Sequence, residues 1–192
     1  ISRTRAETIV RTEALRAARG ATIAAYEQSG VLQGWRWSAS LSERTCPSCL
    51  SKHGQTFDLK TPMNSHPSCR CSASPWFGDG RDTDWEAGDE WLSRQSAAVQ
   101  QQVLGKEGAT LFRSGQLRLS DYERTTTSSK WGMTVSSGGT GWAKQQAAKA
   151  GRPVQAEGQR ERDDRGRHHH GEGAVVAAGR IEDRGAEIGA DA

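Results

Sequence analysis

All four cysteines of this 192-residue chain fall between residues 46 and 71, within RTCPSCLSKHGQTFDLKTPMNSHPSCRC (44–71), beside two of its five histidines. A cluster this dense constrains folding, because a metal, a pair of disulfides or a redox couple would each tie the local chain together. Cys46-x2-Cys49 is followed by His66-x2-Cys69-x-Cys71. Zinc takes four soft or borderline ligands in a tetrahedron, and two tight turns that present ligands at i and i+3 supply them with little strain. The spacing therefore makes Cys46, Cys49, His66 and Cys69 the metal ligands. Cys71 is a fifth candidate that competes with His66 or Cys69 for a place. His53 reads as an exposed turn residue beside Gly54.

Three rival chemistries use similar residues. A thioredoxin-like site also uses C-P-x-C, at the junction of a strand and a helix in a βαβ pattern. Here Gly54 follows Cys49 so closely that no helix is expected. Two disulfides suit small secreted scaffolds, whereas the remainder of this chain is cysteine-free and mostly helical in pattern. A zinc deaminase places H-x-E ahead of P-C-x-x-C; residue 45 is Thr and no H-x-E precedes it. Metal binding is the reading that spacing favours, with redox and disulfide chemistry as alternatives. Five candidate ligands suggest a closed shell, hence a structural rather than a catalytic zinc. Asp58 and Glu43, the nearest carboxylates, read as exposed hairpin residues.

Periodicity sets the rest of the plan. Residues 3–29 carry Ala6, Ile9, Val10, Leu15, Ala18, Ala21, Ala25 and Tyr26 on an approximate 3.6-residue stripe, with Gly30 as the stop. In that helix Glu7 and Arg11 are spaced as an i,i+4 ion pair. Arg11 and Glu13 lie too far apart around the axis to act as one catalytic pair. GWRWSAS (34–40) alternates as a half-buried strand, with Trp35, Trp37 and Ala39 on one face. GQTFDL (54–59) is a second strand, and 72–88 reads as loop. A helix is expected from Asp89, as N-cap, to a stop at Gly105. SDYE (120–123) fits a capping box that opens a further short helix. SSGGTG (136–141) reads as a linker.

Composition divides the chain. All seven Trp precede residue 143, and from Ala143 onward there are five large aliphatics and no aromatic. Such a segment buries too little apolar surface to offset its ordering entropy, so residues 136–192 are expected to be a disordered low-complexity tail. RHHHG (167–171) within it reads as an incidental metal binder. The expected division is an N-terminal helix (1–30), a zinc-knuckle module (31–75), a helical segment (76–135) and the tail. The fold class is α+β, mainly helical with a small zinc-knuckle β-hairpin. Residues 1–71 carry ten Lys/Arg against five Asp/Glu, a mild excess that fits a solvated surface. No apolar run approaches the roughly 18 residues of a membrane span. The first residue is Ile, which leads us to expect a fragment or a processed product.

Several separated motifs resemble the phage Mu F-like family of head morphogenesis (minor capsid) proteins. They are VRTEA (10–14), WRWSASLSERTCPSC (35–49), HGQTF (53–57) and HPSCRC (66–71), and the stretch 91–122 is similar to the helical segment that follows them in the family. The resemblance implies a non-enzymatic protein, present in few copies in the phage head or procapsid and in the host cytoplasm during assembly. Its partners would be the portal protein and capsid subunits, with DNA as a weak further partner and no membrane. Trp76, Trp85 and Trp131, in loop-like stretches, are candidate contacts or parts of the module's own core. Two other functions stay open: a zinc ribbon that binds nucleic acid through Arg36, Arg44, Lys52, Lys60 and Arg70, and a redox enzyme using the CPSC thiols.

Overall fold

A computed structural model of the chain describes residues 2–80, 85–129, 132–152 and 154. All of these fall in the first of the chain's two units, Ile1–Val154. Trp131, RHHHG and the remainder of the expected tail lie outside the described residues.

The long helix α1 (Arg3–Ser29) starts where the Ser2 hydroxyl accepts from the Arg5 N–H, and ends at Gly30 with φ of 68°. Glycine adopts that left-handed conformation without steric cost. The face it buries differs from the expected stripe. Leu15 and Tyr26 turn inward with Thr12, Arg19 and Ile23, whereas Ala6, Ile9, Val10, Ala18, Ala21 and Ala25 are exposed. The bulkier side chains, spaced three and four apart, decide the docking face. Glu7 pairs with Arg3 at 2.8 Å rather than with Arg11.

Strand β1 (Gly34–Ser38) is followed by a short helix α2 (Pro47–Lys52), then β2 (Thr56–Asp58) and β3 (Ser72–Trp76). They form an antiparallel sheet in the order β2-β1-β3, with Trp35 opposite Phe57 and Trp37 opposite Ala73. The expected hairpin therefore gains a third strand, in a stretch that reads as loop. Ser and Pro carry weak β signals, and the pairing comes from β1, which offers both of its edges. Nor is β1 half-buried: Trp35, Arg36 and Trp37 are all below 7% exposed. On one face Trp35 stacks on Phe57 with ring centroids 4.5 Å apart. On the other, the Arg36 guanidinium lies 5.0 Å from the Trp85 ring.

The second half begins with α3 (Gly88–Ser93) and α4 (Ala97–Arg113). The single helix expected from Asp89 is thus broken at Gln95. Ser96 caps α4 by accepting from the Val99 N–H, while Asp89 sits inside α3 and accepts from the Leu119 N–H. Gly105 does interrupt helical geometry, at φ 75° and ψ 165°, but the helix resumes beyond it. Leu119–Tyr122 form a 3-10 turn, not the opening of a helix, since Asp121 accepts from the Arg118 N–H and the chain then turns into strand. Strands β4 (Glu123–Ser128) and β5 (Gly132–Ser137) pair antiparallel, so the stretch expected to be helical holds a hairpin as well.

The linker and start of the tail are also corrected. Thr140–Lys149 form a helix, α5, whose Ala143 and Ala147 are fully buried. Alanines at i and i+4 present little apolar area by composition, yet they let the helix approach closely enough to complete a core.

Two apolar clusters result, and α2 joins them. Cys49 belongs with Trp35, Trp37, Met63 and the other cysteines, whereas Leu50 belongs with Leu92, Leu104, Leu119 and Tyr122. Gly88 permits the approach of α3 to α2, because a Cβ there would stand 2.0 Å from the Leu50 carbonyl oxygen. Backbone cannot yield as a side-chain tip does, so Gly88→Ala is expected to cost about 3 kcal/mol or more. A urea midpoint equal to that of the wild type would overturn this placement.

Candidate metal centre

Helix α2 positions the first two thiols. Cys46 stands at its N-terminal boundary, Pro47 presets the first helical φ, and Cys49 follows one turn later. The helix excluded by the sequence reading is therefore present, although it is only six residues long. It still does not make a thioredoxin-like unit, because β1 and β2 on either side of it run antiparallel.

The second pair comes from the irregular turn 65–71. Ser68 takes φ of 57°, unusual for a residue with a Cβ, and its N–H donates to the Thr12 hydroxyl of α1 at 3.1 Å. This bend lets His66 and Cys69 point the same way.

The side chains converge as two triads that share one cysteine: Cys46, Cys49 and His66, and Cys49, Cys69 and Cys71, the ligand atoms of each lying within 4.8 Å of one another. His66 Nε2 lies 3.2 Å from Cys46 Sγ and 3.3 Å from Cys49 Sγ, while Cys49 and Cys69 sulfurs are 3.7 Å apart. Around one tetrahedral zinc, bonds of about 2.3 Å to sulfur and about 2.0 Å to nitrogen place ligand atoms roughly 3.5–3.8 Å from one another. The observed spacings are close to that. His66 also has an orienting partner, since its Nδ1–H can donate to the Pro67 carbonyl at 2.9 Å, which leaves the Nε2 lone pair facing the sulfurs. The donor set, and the spacings within each triad, could hold a metal ion. Cys71 is buried among the same atoms, and the Trp37 indole N–H, without a nitrogen or oxygen acceptor, lies against its thiol.

The electrostatics express crowding. Hydrogen bonding from Cys49 pulls the Cys46 thiol down to about 4 against the opposing effect of burial, and Cys46 in turn pushes Cys49 up. Cys69 is lowered, chiefly by Cys49. At Cys71 the lowering contact with Cys49 is outweighed by Cys69 and burial, and the thiol rises to about 12. His66 is raised to about 10 by its contacts with Cys46 and Cys69. Four sulfurs in one space divide into thiols and thiolates held together by protons, positions that a bound dication would take over.

His53 is not an exposed turn residue. It is half-buried, 5.0 Å from the Trp85 ring, and its Nδ1 accepts from the Ala39 N–H at 3.0 Å, which ends β1. Burial lowers its pKa below the ordinary 6.5, with Glu86 opposing. A proton on Nδ1 would leave the Ala39 N–H without its acceptor, so the stability contributed by neutral His53 is lost as pH falls through the folded pKa. An NMR titration of His53 should give a midpoint below 6.5; a midpoint above that value would contradict the assignment.

Sequence reasoning missed Arg19. It is 8% exposed, and its guanidinium donates to the carbonyls of Cys71 (Nε, 2.9 Å) and Cys69 (Nη2, 2.6 Å) and to the Ser65 hydroxyl (Nη1, 3.2 Å). Its signal was the run Thr12, Leu15, Arg19, Ile23 and Tyr26 at helical spacing, hidden by attention to the alanines. Of the basic residues proposed for phosphate contact, Arg36 is buried beneath Trp85, and Lys52 pairs with Glu123 at 2.9 Å. Arg44, Lys60 and Arg70 are exposed.

No helix among the described residues is long and apolar enough to cross a membrane. Neither the curated proteins nor the solved structures contain a match to the chain. The stretch 91–122, part of the resemblance noted above, lies beyond the one segment that a family model covers. That segment, residues 1–74, holds α1, both cysteine turns and all five candidate ligands, and it matches the family described as Phage Mu protein F like protein.

Proposed function

We propose that the chain is a non-enzymatic minor head protein of a tailed phage, in which a structural zinc held by Cys46, Cys49, His66 and Cys69 makes a rigid unit for docking to the portal or capsid. The observation that carries this reading is the extent of the family match, which ends just after the last cysteine and so takes in the whole centre. A closed metal cross-link suits a small, sparsely apolar module: structural zinc contributes on the order of 10 kcal/mol or more to folding of small domains. Protein purified without chelator should contain zinc near one equivalent per chain by elemental analysis. Metal-free protein with four titratable thiols and an unchanged fold would refute the zinc. In a phage lacking the gene, the wild-type chain should restore filled heads and Cys46→Ser should not; equal rescue by both would refute the docking role.

A second reading, nucleic-acid binding, draws on Arg44 and Arg70, which line the pocket over the cysteines. With Arg36 and Lys52 engaged elsewhere, few cations remain for a phosphate track. Metal-loaded protein should therefore show no steep salt dependence of DNA binding. A slope that falls by about one unit on each of Arg44→Ala and Arg70→Ala would replace the docking reading.

A further inference from the structure

Helix α1 is held by very little. Ile23 is its single fully buried apolar side chain, while Ile9 and Val10 are 46% and 69% exposed. With only Leu15 and Tyr26 half-buried beside Ile23, this is a thin apolar face for a 27-residue helix. Polar contacts from Thr12, Arg19 and Tyr26 converge on one segment. Arg19 binds Ser65, Cys69 and Cys71, Thr12 accepts from the Ser68 N–H, and the Tyr26 hydroxyl donates to the Ala73 carbonyl at 3.1 Å. Residues 65–73 are the turn that carries His66, Cys69 and Cys71, together with the start of β3.

Arg19 is the centre of this contact. Its charge is buried, and among the described residues none of its three hydrogen bonds goes to a carboxylate. A buried guanidinium without a counter-ion is costly. A source of negative charge is at hand in the thiols of the residues whose carbonyls it grips, Cys69 and Cys71, and a zinc with three thiolates and one imidazole carries a net charge of −1.

We propose that the metal centre gates the seating of α1 through Arg19. With the two cysteine turns joined, the Cys69 and Cys71 carbonyls form a fixed acceptor pair and the thiolate cluster balances the guanidinium. With the metal removed, turn 65–71 loses its anchor to α2, the acceptors disperse, and α1 is released as an exposed arm. This rests on the zinc reading above. Arg19 acts as a positioning residue: it touches no metal, yet it couples the metal to a helix some 46–52 residues away in sequence.

Coupling of this kind is reciprocal, so a chain that cannot seat α1 must hold zinc less tightly. The test uses the full chain, with zinc as the probe and a chromophoric chelator as competitor. Arg19→Gln should still bind one zinc, but with affinity lowered about five- to hundredfold. Arg19→Lys, which keeps the charge, should recover part of the loss. In hydrogen exchange, the amides of residues 17–27 should lose protection at least tenfold in zinc-loaded Arg19→Gln and in chelator-stripped wild type. Helix α4 in the loaded variant should be unchanged. Unaltered zinc affinity in Arg19→Gln, or unaltered protection of α1 in loaded Arg19→Gln, would overturn the gate while leaving the zinc in place. Wild-type protein that carries no zinc would overturn both.

Discussion

Replacing Cys49 by serine is expected to abolish metal binding and to remove the cooperative unfolding of the module formed by α1, β1, α2, β2 and β3. Cys49 is the one residue shared by both triads, and it is 3% exposed. Serine is a poor zinc ligand at neutral pH, and Cys71, the one sulfur left over, shares no triad with Cys46 or His66 and so is poorly placed to take over. The zinc is worth about 10–16 kcal/mol in small domains, comparable with the whole stability of an ordinary domain at roughly 5–15 kcal/mol. The defect should not stay local, because Leu50, the next residue, is fully buried in the neighbouring cluster. Elemental analysis and near-ultraviolet circular dichroism of the tryptophans check this: zinc content near zero and a flattened signal are expected. Cys71→Ala is the control and should retain about one zinc, since the proposed ligand set of Cys46, Cys49, His66 and Cys69 does not use it. Zinc retained by Cys49→Ser would overturn the centre as drawn, and zinc lost from Cys71→Ala would make Cys71 the fourth ligand.

The second large effect concerns the end of the folded unit. Truncation after Gly138 removes α5, with the fully buried Ala143 and Ala147 and the bond from the Trp142 indole N–H to the Glu123 carbonyl at 3.0 Å. It also removes Arg152, which holds the buried Asp121 through both carboxylate oxygens at 2.6 and 3.2 Å. Leaving a buried carboxylate without its cation costs about 3 kcal/mol even when the partner is partly exposed, and the uncovered apolar surface adds to this. For a unit of this size the thermal midpoint should fall by about 10 °C or more. Truncation after Val154 should leave the midpoint within about 2 °C, because the residues beyond it are too poor in apolar side chains to supply a core. Equal midpoints for the two truncations would show that α5 contributes no core.

The sequence alone was enough to locate the centre and the elements with strong local signals. Ligand chemistry fixes a narrow set of spacings, so a Cys/His cluster could be read from the chain, and the structure gathers Cys46, Cys49, His66, Cys69 and Cys71 as two triads that share Cys49. The stop of α1 at Gly30 and the strands around Trp35 and Phe57 were equally legible, since a left-handed glycine and an alternating aromatic pattern act within a few residues. What needed the tertiary structure is whatever depends on a distant partner. Strand β3 exists because β1 offers it an edge, and α5 because two alanines fit a gap that α4 and the 3-10 turn leave open. Arg19 faces inward because carbonyls some fifty residues away await it. Local propensity carries no record of such partners, and a buried charge or a buried alanine only becomes favourable once the opposing surface is in place.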